Sequence, residues 1–543
     1  MGRYRSHYCI QANNNVGQAI KVAGWVESVR DIGKLVFFVL RDITGSLQVT
    51  VKKDSKYFDK AKELSLGDVV SVTGRIAERP EKMKNPKMKT GSVELICEEL
   101  EVMSKSDRLP FIPGDPNVTE ATRLKYRYLD LRRPEMQRNL IFRAKVMNAF
   151  REFLTSKGFI EIETPYLAKS TPEGSRDFLV PSRLHPGKFY ALAQSPQLYK
   201  QILMVSGFDR YFQFPRCFRD EDLRGDRQPE FTQLDLEMSF VDMDDVMSLV
   251  EDAVKHVFKK TMGIEIKEIP RLDYEHVIEK YGTDKPDLRI KGLEIVHDGS
   301  VKVSLEGYEE KVKDMIGKKS FDNKMKSIED NYDVKVSRFK QSIANGFVQI
   351  EGEKLDSLAA ANELRRFIAY ATNSIEEGFK VLWVVNFPLF ELNEEGQITS
   401  AHHPFTSPRD EDLELLDKEP LRVRAKSYDL VINGWEVAGG SIRIHKPEIQ
   451  AKVFKILGMS EEEYKKRYGF LLEAFKYGVP PHGGIAFGLD RFVAVMLGLN
   501  SIRDVIAFPK TKDGVDLMTG SPSEAPEEYL KEFRWLKIEK SKD

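Results

Sequence analysis

Two arginine-bearing segments, about 250 residues apart, constrain this chain more than any other feature. Phe218-Arg-Asp-Glu221 is followed ten residues later by Phe231-Thr-Gln-Leu-Asp-Leu-Glu237, and Gly488-Leu-Asp-Arg491 comes far downstream. Each arginine stands beside a run that reads as a strand. A guanidinium fork matches two phosphate oxygens at once, so the pair suggests a site that holds a polyphosphate from two sides. The chain has no G-x-x-x-x-G-K-[ST] loop and no G-x-G-x-x-G after a strand. A nucleotide bound here is therefore held without a Walker loop or a Rossmann turn.

The first hundred residues alternate as strands. Ala19–Val26, Leu35–Leu40, Ser46–Val51, Asp68–Gly74 and Val93–Cys97 are five such runs, punctuated by Thr44-Gly45 and Thr90-Gly91. A helix-like stretch from Tyr57 to Leu66 lies between the third and fourth. Five short strands with that helix fit an OB barrel, a fold that binds single-stranded nucleic acid with aromatics and a basic groove. Residues 1–105 carry 18 Lys/Arg against 13 Asp/Glu, a surplus that would attract a polyanion, although the whole chain has net charge −1. Phe37 and Phe38 point to opposite faces of one strand, so one is core and the other is free to serve as a stacking platform.

Beyond the barrel, residues 106–134 are rich in proline and charge and read as a hinge. A helix begins at Pro134, with Leu140, Ala144, Met147, Phe150 and Leu154 at helical spacing, and Gly158 can end it. Phe159–Glu163 then alternates as a strand. Residues 242–262 look helical, and residues 290–380 are charge-rich without recognisable chemistry. The domain reading is 1–105 barrel, 106–134 hinge, 135–288 body, 289–380 insertion and 381–543 body again. With 543 residues, more than one core is expected. Cys9, Cys97 and Cys217 form no C-x-x-C pair, which fits a reducing cytosol, and no apolar run reaches membrane-spanning length.

One metal argument needs only the residues. Ser427-Tyr-Asp-Leu-Val-Ile-Asn-Gly-Trp-Glu436 contains Asn433-Gly434, a strong hairpin signal. That turn faces Ile432 with Trp435 and Val431 with Glu436, making Asp429 and Glu436 diagonal cross-strand neighbours. Two such carboxylates repel unless a cation lies between them, and Mg²⁺ shared with nucleotide phosphates is the expected one.

The motif wording resembles the class II aminoacyl-tRNA synthetases, specifically the aspartyl enzymes of bacterial type. The two arginine segments look like motifs 2 and 3. Arg127–Arg133, Thr171-Pro-Glu-Gly174, Gln194–Lys200, Arg224–Phe231 and His402-His-Pro-Phe405 follow in family order over nearly the whole chain, residues 290–380 excepted. The resemblance implies an α+β enzyme: an N-terminal OB-fold anticodon-binding barrel, an antiparallel-sheet catalytic body and an insertion shortened by several dozen residues. It also implies a homodimer built through the Pro134 helix.

The implied reaction activates L-aspartate with ATP and Mg²⁺ and transfers it to tRNA(Asp), with tRNA(Asn) as a second acceptor in a relaxed version. Such chemistry needs positioning and charge neutralisation more than a protein nucleophile. By resemblance, Arg219 grips the α-phosphate, Arg491 the γ-phosphate end, and Glu436 is catalytic and pairs with Asp429 on the metal. Glu221 and Gln228 read the adenine side and Phe231 stacks on the ring, with Asp220, Gly488, Leu489 and Asp490 completing the nucleotide site. Lys200 and Arg443 hold the aspartate side chain, His402 is a further substrate contact, and Glu173, Gln197 and Asp235 meet the ammonium. Arg30, Phe37, Gln48, Arg79 and Glu94 read the anticodon. Ile32, in Arg30-Asp-Ile-Gly33, favours an enzyme restricted to the aspartate tRNA; Met83 and Lys84 match neither pattern. A silent tRNA-binding paralogue and a small-molecule ligase are the rivals. The intact arginines and Glu436 argue against the first, and the barrel argues against the second.

Overall fold

The computed structural model describes residues 2–171, 174–223, 225–297, 300–337, 346–533 and 535–536. It divides into two compact units, Met1–Gln137 and Arg138–Asp543.

In the first unit, strands β1 (Ala19–Asp31), β2 (Leu35–Asp42), β3 (Gly45–Lys52), β4 (Val69–Glu78) and β5 (Val93–Ser104) close into a barrel of order β1-β2-β3-β5-β4. A short helix, α1 (Phe58–Lys62), sits between β3 and β4. Alternation drives closure: Val36, Phe38 and Leu40 of β2 and Leu47, Val49 and Val51 of β3 all turn into one core. Phe38 is the buried member of its pair and Phe37 stays partly exposed. Residues 106–134, read as a hinge, hold two short helices, Glu120–Lys125 and Arg127–Asp130. There a buried Asp130 accepts from Arg127 at 2.5 Å and pairs with Arg133 at 2.7 Å.

The second unit is built on one nine-stranded sheet. In chain order it is formed by β6 (Ile160–Glu161), β7 (Arg210–Gln213), β8 (Glu230–Ser239), β9 (Arg271–Asp273), β10 (Val381–Val385), β11 (Ser427–Ile432), β12 (Trp435–Ile442) and β13 (His482–Gly488). Across the sheet the order is β9-β10-β11-β12-β13-β8-β7-β6, with Arg216–Phe218 also pairing β8. The central pairings are antiparallel, and only the edges, β9 with β10 and β6 with β7, run parallel. Helices α2 (Pro134–Ser156), α3 (Met243–Met262) and α4 (Leu489–Met496) supply Phe150, Val254, Phe258 and Phe492 to the core under this sheet.

Two local expectations are corrected. In α2 the buried stripe runs through Val146, Ala149, Phe150, Phe153 and Leu154, whereas Ala144 is exposed. Both stripes satisfy helical spacing, and the larger side chains win the core face. The strand expected over 159–163 shrinks to Ile160–Glu161, because β7 offers partners only to Ile160 and Glu161.

Between β9 and β10 lies a second, smaller sheet with its own hydrophobic cluster. Ile295–His297, Val301–Ser304, Phe347–Glu351 and Lys335–Val336 make an antiparallel sheet in that order. Helices Lys319–Tyr332 and Lys354–Ala371 cover it, around Val303, Leu305, Val348, Leu364 and Ile368.

Candidate active site

The centre of the sheet is floored with small residues. Asp235 of β8 lies opposite Ala486 of β13, which lies opposite Gly439 of β12; one step along, Glu237, Gly484 and Ser441 repeat the row. A Cβ on Gly484 would stand 2.2 Å from Glu237 Oε2 and 2.1 Å from the Leu236 carbonyl oxygen, so the middle strand must stay bare for its neighbours' charged side chains to fold over it. The result is a cavity of about 560 Å³ lined by both motif arginines, Lys200, Arg443 and a set of carboxylates.

At its deepest point lie four buried charges. Lys200 projects from the helix Gln197–Val205 and donates to Asp235 Oδ1 at 2.6 Å, with Glu237 Oε2 at 3.2 Å. Arg443 grips Glu237 with two parallel bonds, Nε to Oε1 at 2.9 Å and Nη2 to Oε2 at 3.1 Å. Burial pushes the Glu237 carboxyl up, but Arg443 and Lys200 outweigh it and bring it down to about 2. Asp235 is shifted upward by burial, against the pull of Lys200, and its Oδ2 has no hydrogen-bond partner. An unsatisfied buried carboxylate oxygen beside a cavity is a receptor for a cationic donor. Arg443 Nη1 also donates to His403 Nε2 at 2.7 Å, so that nitrogen is unprotonated; burial and then Arg443 hold the His403 pKa well below its ordinary value.

Behind this set runs a neutral chain. Gln197 Nε2 donates to Gln201 Oε1 at 3.1 Å, Gln201 Nε2 meets His482 Nε2 at 3.1 Å, and His482 Nδ1 meets the Pro480 carbonyl at 2.8 Å. A carbonyl only accepts, so the His482 proton is on Nδ1 and Nε2 takes the Gln201 amide. The sequence reading gives Gln197 a role but none to Glu237, His403, Gln201 or His482. Glu237 had a signal: it shares a strand face with Asp235, two residues away.

On the opposite side the Asn433-Gly434 hairpin forms, with Ile432 facing Trp435 and Val431 facing Glu436 as expected. A bulge then inserts Val437, placing Leu430 opposite Ala438 and Asp429 opposite Gly439, so the simple diagonal register is corrected. The two carboxylates still converge: a Cβ on Gly439 would lie 2.8 Å from Asp429 Oδ1 and 3.7 Å from Glu436 Oε1. Asp429 Oδ1 lacks a hydrogen-bond partner. Its pKa is raised by burial, against His402, whose Nε2 lies 3.6 Å away. Burial also opposes ionisation of Glu436, but Lys285 and Arg491 prevail and lower its pKa. Lys285, absent from the sequence reading, lies 3.3 Å from Glu436 Oε2. An orphaned carboxylate oxygen and a second carboxylate converging over a bare glycine fit a divalent cation that takes one or two carboxylates and keeps other ligands. Among the described residues no cluster of three or more His, Cys, Asp or Glu forms a complete cage. His402 belongs to this side of the cavity, on Asp429, while His403 is the histidine on Arg443.

The nucleotide-side residues divide. Arg219 has no carboxylate within ion-pair distance among the described residues, and its guanidinium lies 5.1 Å from the centroid of the Phe231 ring. Arg491 donates to the Glu436 carbonyl at 2.9 Å and to Asp226 Oδ2 at 3.3 Å. Gly488, Glu221 and Gln228 line the cavity. Glu221 pairs with Arg227 at 3.0 Å. Gln228 uses both amide ends on the Lys510 main chain, at 3.0 and 2.8 Å, which fastens the C-terminal segment. Asp490 reaches the cavity wall, but its carboxylate is taken by Arg143 and the Thr232 amide, which tie motif 3 to α2 and β8. Two residues do not join the site. Leu489 is fully buried in the core, and Asp220 is exposed, 3.8 Å from Arg176, beyond the end of the strand Arg216–Phe218. Glu173 lies outside the described residues.

On the barrel, Arg30 pairs with Phe37 across β1 and β2, and Phe37 with Thr50 across β2 and β3. Glu94 accepts from Gln48 at 3.0 Å and from Thr50, so these side chains share one face. Arg79 continues from β4 and reaches the Gly91 carbonyl at 3.4 Å.

A mostly antiparallel sheet with two arginines over a carboxylate-bearing hairpin, carried with a separate OB barrel, defines a class II synthetase. Residues 119–512 match the family described as tRNA synthetases class II (D, K and N), and residues 20–103 match the OB-fold nucleic acid binding domain. The chain belongs to this class II family. It is 48% identical to the aspartate–tRNA(Asp/Asn) ligase of Caldanaerobacter subterraneus subsp. tengcongensis, over 99% of each chain. It is 47% identical to the aspartate–tRNA ligase of Ruminiclostridium cellulolyticum, over 98% of each. The first alignment runs over 588 positions against 543 residues here, so gaps open in this chain. Among solved structures, asparaginyl-tRNA synthetase from Pyrococcus horikoshii has the same fold, with a TM-score of 0.65 at 21% identity over 94% of this chain and 99% of that one. Aspartyl-tRNA synthetase from Entamoeba histolytica gives 0.61 at 21% identity, over 91% and 89%.

Proposed function

We propose that this chain is an aspartate–tRNA ligase, joining L-aspartate to ATP as aspartyl-adenylate and then to the 3′ end of tRNA(Asp). The observation that carries the substrate assignment is the buried Lys200–Asp235–Glu237–Arg443 set. Two cations suit the side-chain carboxylate, and the orphaned Asp235 Oδ2 suits the ammonium. A neutral asparagine amide would bring no charge to these cations, and a lysine side chain would be repelled by them.

Arg219, without a carboxylate partner among the described residues, is the donor for the α-phosphate and for the attacking α-carboxylate, where charge builds during in-line displacement. Phe231 supplies a face for the adenine ring, and Arg491 the positive charge at the γ-phosphate end. Asp429 and Glu436 would hold Mg²⁺, which when bound neutralises phosphate charge. Pyrophosphate leaves as the new acyl–phosphate bond forms, and a ribose hydroxyl of tRNA then takes the aspartyl group. The barrel residues Arg30, Phe37, Gln48, Arg79 and Glu94 read the anticodon. Residues 1–105, 106–134, 135–288, 289–380 and 381–543 act as barrel, hinge, body, insertion and body, in a cytosolic homodimer.

A second reading, a ligase that also charges tRNA(Asn), is favoured by the tRNA(Asp/Asn) designation of the Caldanaerobacter relative. The exposed Ile32 favours the restricted enzyme. The test is aspartylation of purified tRNA(Asp) and tRNA(Asn) transcripts at one fixed salt concentration. Charging of tRNA(Asp) alone supports the restricted enzyme, comparable charging of both the relaxed one, and charging of neither with aspartate refutes the assignment.

A further inference from the structure

Lys285 is a cation at the carboxylate hairpin to which the proposed chemistry gives no task. It stands in Thr283-Asp-Lys-Pro-Asp287, on the way from the body into the insertion. Its ammonium lies 3.3 Å from Glu436 Oε2 and 3.1 Å from Asp284 Oδ2, and all three side chains line the cavity. It therefore has two carboxylates to choose from, one in the hairpin and one beside it in sequence.

The loop that carries Lys285 is fastened just beyond it. Asp287 is buried and accepts two bonds from Arg289, at 2.9 and 2.8 Å, and one from Tyr370 Oη at 3.1 Å. Tyr370 belongs to the insertion helix Lys354–Ala371. Asp287 also packs on the hairpin turn, where a Cβ on Gly434 would meet Asp287 Cβ at 3.0 Å. The main chain is thus pinned two residues away, and the remaining freedom is in the lysine side chain.

We propose that Lys285 is a built-in counter-ion. It balances Glu436 in the metal-free site and must release Glu436, keeping Asp284 alone, before a divalent cation can bind, so the cation enters with the nucleotide and not ahead of it. The proposal rests on the reading that Asp429 and Glu436 are the cation ligands. The physical reason is charge. A dication added beside an ammonium at this distance meets strong repulsion in a partly desolvated site, and the ammonium must give way. A polyphosphate entering with the cation supplies new anionic partners for the displaced lysine, which removes the penalty.

The experiment is a Mn²⁺ titration followed by electron paramagnetic resonance on the full chain, with and without a non-hydrolysable ATP analogue. Without nucleotide, Lys285→Met is expected to bind Mn²⁺ about tenfold or more tightly than the parent, while Lys285→Arg stays close to the parent. Asp284→Asn removes the alternative partner and is expected to weaken binding of Mn²⁺ alone, which tests the same idea without altering Lys285. Unchanged affinity in both Lys285→Met and Asp284→Asn, with normal Mn²⁺ binding in the presence of the analogue, overturns the proposal and leaves the ligand assignment standing. Parent-like Mn²⁺ binding with the analogue in the Asp429→Asn, Glu436→Gln double variant overturns the ligand assignment and the proposal with it.

Discussion

Arg219 and Arg491 hold the same nucleotide in the proposed reaction, yet they stand in different surroundings. Arg219 is committed only to the Phe231 face, whereas Arg491 is braced by the Glu436 carbonyl and Asp226. Replacing either with alanine is expected to lower aspartate-dependent ATP–pyrophosphate exchange by roughly 10²–10³, the usual loss for one preorganised donor. Near-parent exchange in either folded variant would remove that arginine from the site. Lys200 predicts a different pattern. Its loss strands the buried Asp235 and leaves Glu237 to Arg443 alone, and removing one partner of a buried ion pair costs on the order of 3–5 kcal/mol. Lys200→Ala is therefore expected to raise the KM for aspartate far more than that for ATP and to lower thermal stability. A change confined to ATP would refute its place in the side-chain pocket. These residues were legible because their motifs carry them. Glu237 was hidden because an acid on a buried strand is interpretable only once its partner is known, and Arg443 is 206 positions away. Lys285 had no local signal at all, since its meaning depends on a hairpin that pairs in space and not in sequence.

Elements were more legible than their details. The Asn433-Gly434 turn could be read directly, since both residues adopt positive φ, 52° and 80°, but its bulge at Val437 could not, because a bulge answers to the neighbouring strand β13. The edge strand Ile160–Glu161 was overestimated for the same reason: alternation marks what can pair, and the neighbour decides how much does. The strand β13 also carries a pH consequence. Burial lowers the His482 pKa from its ordinary value to about 4. An unfolded chain takes up that proton near pH 6.5 and the folded chain does not, so between about 6.5 and 4 the unfolded state binds more protons. The contribution is fully present above 6.5 and is lost as pH falls through this window, to a total of about 3 kcal/mol. Protonation would also set an N–H against the Gln201 amide and disturb the Gln197–Gln201 bond. His482→Gln is expected to flatten the dependence of the urea midpoint on pH between 7 and 4 relative to the parent. Parallel curves for the two proteins would show that the histidine does not titrate this way.

At the scale of the whole molecule, the two compact units divide the chemistry. Every residue lining the large cavity falls within Arg138–Asp543, and the proposed anticodon readers all fall within Met1–Gln137. In the proposed reaction adenylate formation draws on the cavity alone, whereas charging of tRNA draws on both units. Phe37→Ala separates them. Phe37 is partly exposed and shares its barrel face with Thr50, Gln48 and Glu94, while the core at this strand is supplied by Val36, Phe38 and Leu40. Truncating it removes a stacking platform worth about 1–3 kcal/mol and leaves the barrel core intact. The efficiency of tRNA aspartylation is expected to fall roughly 5- to 150-fold, the equivalent of that energy, with ATP–pyrophosphate exchange unchanged. The loss is expected to appear in kcat/KM for tRNA at a fixed salt concentration, since the phosphate contacts that supply most of the affinity remain. Equal losses in exchange and charging would place Phe37 in the fold and not in recognition, and parent-like charging would move the anticodon to another face of the barrel.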